Sequence, residues 1–124
     1  MTIDDTVHAR LDDLFAKIDA KDTERFLEFL TDGASFRFGS APPVHGHEEI
    51  RVAVDGFIAS IAGSKHKLTR IIDDAGVLIC EGEVTYTRHD ATEVTLPFAN
   101  FLELEGELIS NYKIYADAGP LYAQ

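Results

Sequence analysis

The sequence predicts an α+β domain with helices on one face of a curved antiparallel sheet. Three observations predict it. Apolar residues recur at helical spacing through the first half of the chain and alternate with polar ones from Lys65 onward. The turns between the alternating stretches are short, which makes neighbouring strands antiparallel. The 124 residues fit one domain, 1–124, with no room for a separate cofactor or regulatory unit.

The elements follow in order. Over residues 7–20, Val7, Leu11, Leu14, Phe15 and Ile18 form one helical stripe, and Asp4, Asp5 and Thr6 supply cap and dipole signals at its start. A shorter helix follows an Asp22 cap, with Phe26, Leu27, Phe29 and Leu30 apolar and Gly33 as its stop. A brief strand at 35–38 leads into the loop Gly39-Ser40-Ala41-Pro42-Pro43. A third helix starts near Gly46 or His47, carries Ile50, Ala53, Val54, Phe57, Ile58 and Ile61, and stops at Gly63-Ser64. Four strands are expected at 66–73, 77–87, 94–105 and 108–117.

Composition excludes several functions. Eleven Lys and Arg against 22 Asp and Glu leave a net charge of −11, and the basic residues are scattered. Nucleic acid and anionic membrane both require clustered cations, so neither is expected as a partner. No apolar run approaches the roughly 20 residues of a membrane span, and the acidic N-terminus lacks a signal-peptide pattern. A cytoplasmic location is expected. The single cysteine, Cys80, excludes a disulfide framework and a thiolate zinc site. No phosphate loop, nucleophile elbow or HExxH helix is present, so no cofactor is expected.

Strand parity selects the candidate site. Even-numbered positions carry the apolar residues of the last three strands, so they are expected to face the helices unless a bulge intervenes. The polar members of that face are Tyr86, Arg88, Asp90, Asn100, Ser110 and Tyr112. Burying a hydroxyl or amide unpaired costs roughly 1–3 kcal/mol, so these groups either pair or line a cavity. Arg88 and Asp90 lie two apart and point the same way. Arg88 can hold Asp90 ionised as a base, or bind an anionic substrate group, or form a strand-end ion pair. Asn100 reads as a pocket donor or as an amide bonded at a bulge, Tyr112 as a donor or as space-filling core. His45 and His47 are close enough for a metal but lack a third ligand, so no metal site is expected. His66, of the same parity as Leu68, Arg70 and Ile72, can reach the pocket or a helix end.

The chain resembles the NTF2-like superfamily and, within it, the SnoaL-like group. The resemblance is carried by Glu81-Gly82-Glu83-Val84-Thr85-Tyr86-Thr87-Arg88-His89-Asp90, by Leu96-Pro97-Phe98-Ala99-Asn100-Phe101, and by the final strand from Gly106 to Asp117 with Pro120-Leu121. Val44-His45-Gly46 and the helix after it also fit, so essentially the whole chain is covered. It implies a cone: three N-terminal helices packed on a strongly curved antiparallel sheet that encloses a pocket. The superfold hosts isomerases, cyclases, hydrolases and non-enzymes. Ketosteroid-isomerase-like members place an Asp base where Phe38 stands, a protonated Asp near Asn100 and a Tyr near Phe15. Epoxide-hydrolase-like members share an Arg-x-Asp at Arg88 and Asp90 but need a carboxylate where Ile114 stands. Polyketide-cyclase-like members pair an Asp with a His.

The expected function is binding of a small, mostly apolar, oxygen-bearing molecule, with cofactor-free acid–base chemistry. Asp90 is expected as base, Arg88 as its partner, and Tyr86, Asn100, Tyr112, Phe38, Phe15 and Phe98 as the substrate-binding wall. The alternative is a non-catalytic ligand-binding or dimerisation module. A homodimer is expected through an outer sheet face bearing Phe101, Ile109 and Tyr115.

Overall fold

A computed structural model describes residues 5–122. Helix α1 (Asp5–Asp19) and the short α2 (Thr23–Leu27) lead into β1 (Leu30–Phe38), β2 (Val44–His45) and α3 (Gly46–Ala59). Strands β3 (Gly63–Asp74), β4 (Val77–Thr87), β5 (Glu93–Glu105) and β6 (Leu108–Tyr115) follow, then a short α4 (Gly119–Tyr122). The strands form one sheet in the order β2-β1-β6-β5-β4-β3. β3 to β6 make the expected antiparallel meander. The sheet as a whole is mixed, because β1 runs parallel to β6, and it is not strongly curled.

The helical stripes become the core. Leu11, Leu14 and Phe15 of α1 and Ile50, Val54 and Ile58 of α3 are buried against the inner face of the sheet. From that face Leu78, Cys80, Val84, Tyr86, Leu96, Phe98, Asn100, Leu102 and Tyr112 meet them, all 5% exposed or less. Even parity therefore holds along β4 and along β5 as far as Leu102.

Bulges overturn parity in two places. The register between β5 and β6 shifts at Glu103/Leu104, opposite Ser110. Ile109 is consequently buried and Leu108 exposed, the reverse of the even-inward expectation, and Ile109 does not belong to the outer face. Phe101 and Tyr115 do; their rings meet edge to face 5.5 Å apart. The second shift, between Leu68 and Arg70 on β3, turns Arg70 and Ile72 outward and Ile71 inward, while His66 keeps its inward place.

Element ends moved where pairing outweighed local pattern. α2 stops at Leu27, because Leu30 pairs with Ile109 of β6 and opens β1, so Gly33 lies inside a strand. Gly63 and Ser64 pair with Thr87 and Tyr86, so they begin β3. β4 ends at Thr87, and residues 88–92 form a turn closed by Arg88 N–H to the Thr92 carbonyl (2.8 Å).

Candidate functional site

A cavity of about 360 Å³ opens between the inner sheet face and helices α1 to α3. Its walls are apolar: Phe15, Phe26, Phe36, Phe38, Phe57 and Phe98 dominate them. Phe38, from the end of β1, lies against Phe57 of α3 with ring centroids 5.4 Å apart. All six residues expected as the substrate-binding wall, Phe15, Phe38, Tyr86, Phe98, Asn100 and Tyr112, line this cavity.

Arg88 and Asp90 do not line it. The strand ends before them, so strand parity no longer governs where they point. Asp90 is exposed on the turn, where its Oδ1 accepts from the Thr92 backbone N–H at 3.0 Å and the Thr92 hydroxyl at 2.5 Å. The Thr92 hydroxyl, then its backbone N–H, holds the Asp90 carboxyl below its usual range. Such an Asx arrangement closes a turn. The expectation that both residues face the pocket is therefore corrected.

The polar groups of the wall are few. Tyr86 and Tyr112 are buried, and among the described residues neither hydroxyl has a hydrogen-bond partner. Burial pushes the Tyr86 phenol up to about 12 and that of Tyr112 well above its ordinary value. Both are hydroxyl donors at neutral pH. Asn100 lines the cavity, and among the described residues its buried Oδ1 has no hydrogen-bond partner. Cys80, opposite Asn100 on β4, is fully buried, and desolvation pushes its thiol up to about 12. It is a core thiol, not a thiolate nucleophile.

The structure adds a group that the sequence reading did not assemble. His66 on β3 lines the cavity, with its ring 4.9 Å from Phe15 and 5.4 Å from Phe98 between centroids. Its Nδ1 lies 2.6 Å from Oδ1 of Asp19, at the end of α1. The His66 backbone N–H donates to Asp19 Oδ2 at 2.9 Å, and the Ser64 hydroxyl to Oδ1 at 2.8 Å. Burial pushes the Asp19 carboxyl up, but the bonds from the His66 ring and backbone and from Ser64 outweigh it, and the group sits below its usual value. An ionised Asp19 accepts a hydrogen bond from Nδ1–H, which leaves Nε2 as the ring nitrogen free of that contact. His66 reaches both places expected of it, pocket and helix end. Asp19 carried one signal in the sequence: an acid in the last turn of a helix opposes the helix dipole and asks for a partner.

His45 and His47 are separated in use. His45 Nδ1 meets the Ser35 hydroxyl at 2.9 Å, and His47 Nε2 meets the Leu30 carbonyl at 3.2 Å. Among the described residues no three His, Cys, Asp or Glu side chains gather as a metal site, and no helix is long and apolar enough to cross a membrane.

The model of the SnoaL-like domain matches residues 11–112. The chain belongs to the SnoaL-like family. This SnoaL-like chain has the NTF2-like fold, as its structural neighbours show. An NTF2-like protein of unknown function from Burkholderia pseudomallei superposes with a TM-score of 0.81 at 14% identity, covering 90% of each chain. TerC, co-crystallised with polyporic acid, gives 0.78 at 15% identity over 88% of this chain and 89% of that one. An LEH-like epoxide hydrolase of M. tuberculosis gives 0.74 at 14% identity over 88% and 80%. No curated protein matches the chain.

Proposed function

We propose that this SnoaL-like protein binds a small, mostly apolar, oxygen-bearing molecule in the cavity and performs acid–base chemistry on it with its own side chains. The observation that carries the reading is the Asp19–His66 pair, 2.6 Å apart, with the imidazole set in a mostly apolar wall. Asp19 fixes the tautomer and orientation of the ring, and Nε2 takes or returns a proton on the ligand. Asn100, Tyr86 and Tyr112 supply donors for a ligand oxygen that gains charge as the proton leaves. The cavity lies at the small end of the roughly 300–1,000 Å³ range of small-molecule sites. The fold relatives include an LEH-like epoxide hydrolase and TerC bound to polyporic acid, which supports small oxygenated molecules as the class to try.

A panel of neutral enones, phenols and epoxides, screened first for binding and then for turnover, tests the reading. His66→Gln is expected to keep ligand affinity and lose turnover by a factor of about 100 or more, the usual scale of general acid–base catalysis. Full turnover in His66→Gln removes His66 from the chemistry. One observation favours the alternative of a non-catalytic binding module: Asp19 also accepts from Ser64 and from the His66 backbone, so the pair ties α1 to β3. Under that reading ligands bind and none is turned over at any pH. A homodimer through the outer face at Phe101 and Tyr115 belongs to the same proposal, and a monomer by sedimentation at micromolar concentration removes it.

A further inference from the structure

We infer that Arg88 is a positioning residue that latches the C-terminal segment, residues 118–122, over the cavity and so governs access to it. Its Nε donates to the Leu121 carbonyl at 2.9 Å and its Nη2 to the Pro120 carbonyl at 2.8 Å. The third arm, Nη1, donates to the Thr92 hydroxyl at 3.1 Å. Thr92 is itself bonded to Asp90, and the Arg88 backbone is closed on Thr92 and Ala91. The guanidinium is thus held on a braced turn while it grips two carbonyls of α4.

The gripped segment is short, and the Gly119 N–H at its start donates to Asp117 Oδ1 at 2.9 Å. α4 is four residues long, well short of what is stable alone. Leu121 is its only buried side chain, 4% exposed, and the Leu121 N–H closes one turn on the Ala118 carbonyl at 2.9 Å. Yet Ala116, Ala118 and Tyr122 line the cavity, and Tyr122 is 61% exposed at its edge. A short stretch of wall, exposed at Tyr122, therefore lies between cavity and solvent. Low-stability segments open locally without global unfolding. Opening here removes one wall and leaves the Asp19–His66 pair and the sheet in place.

The inference rests on the reading of the cavity as a ligand site, and the test separates the two. The neutral fluorophore N-phenyl-1-naphthylamine serves as probe, mixed in stopped flow with the full chain. Arg88→Met is expected to raise both its association and dissociation rates about tenfold. The Leu121 amide is expected to exchange hydrogen about tenfold faster, with Val84 and Leu102 unchanged. Arg88→Lys restores one of the lost bonds and lies between. Should Arg88→Met fold poorly, Leu121→Ala releases the same segment from its other anchor, and the same rates are read. Unchanged Leu121 exchange shows that Arg88 is no latch. Faster exchange with unchanged probe kinetics shows that the segment does not gate the cavity. Either result overturns the inference and leaves the cavity as a site. A probe that fails to bind the wild-type chain overturns the ligand-site reading, and this inference with it.

Discussion

Oδ1 of Asp19 and Nδ1 of His66 stand 2.6 Å apart, joining positions 47 residues distant in the chain. The contact closes the C-terminal end of α1 onto β3 and turns one imidazole into part of the cavity wall. Structure and chemistry depend on the same two atoms.

That dependence has a pH signature. Asp19 sits below its unfolded value, about 3.9, so its contribution to stability is fully present above that value and is lost as pH falls through the folded one. Asp19→Asn keeps one acceptor for three donors and is expected to cost roughly 1–3 kcal/mol at pH 7. Urea denaturation of both chains at pH 7 and pH 3 checks it. The difference should shrink at pH 3, which lies below the unfolded value, because the carboxyl of the unfolded chain has gained a proton there and part of the contribution is lost. An equal difference at both pH values removes the charge of Asp19 from the account.

Asp90 is expected to be dispensable for ligand work. Its carboxylate points into the turn and is exposed, and Asn at the same place can still accept from Thr92. Asp90→Asn should leave probe affinity and any turnover within about twofold of wild type, whereas His66→Gln should keep affinity and lose turnover. Loss of turnover in Asp90→Asn would restore the assignment made from parity.

The difference between those two acids shows what the sequence could carry. Alternation placed Tyr86, Phe98, Asn100 and Tyr112 on the inner face, because period two holds wherever a strand runs unbroken. It failed at Arg88 and Asp90 because the strand ends at Thr87, one residue before Arg88 and three before Asp90. It failed at Ile109 because Ser110 is an extra residue on β6, and nothing in the composition of that strand marks a bulge. Asp19 and His66 were each visible, one as an acid at a helix end and one as an inward histidine. Only the docking of α1 on β3 brings them together, and that is a tertiary fact. Leu30 shows the same limit: its apolar neighbours read as helix, and pairing with Ile109 made it strand.

Gly82 is expected to be the costliest small substitution on the sheet. It pairs with Leu68 beside the β3 bulge, and a Cβ there would run into the Lys67 carbonyl oxygen, a backbone atom that cannot rotate away. Gly82→Ala should lower stability by about 1–3 kcal/mol, the range for overpacked cores. The check is a urea midpoint that falls while the slope stays the same. A midpoint within error of wild type would mean that the bulge relaxes to admit a methyl group.

Asn100 tests whether the cavity trades stability for binding. Its side chain sits on a face with Phe98, Leu102 and Ile114, and its Oδ1 is buried without a partner. Leaving such an acceptor unmade costs about 1–3 kcal/mol, and replacing the amide by an apolar group removes that cost. Asn100→Leu is therefore expected to raise the unfolding free energy by about 1 kcal/mol, despite the larger side chain, because the adjacent cavity can take the added volume. The same change removes a polar side chain from the cavity wall. Affinity for an enone should fall about tenfold, while affinity for the matching hydrocarbon is unchanged or higher. Paired measurements decide the point: thermal denaturation of both chains, and binding of each ligand to both. A less stable Asn100→Leu with undiminished enone binding would place Asn100 in the core as structure alone.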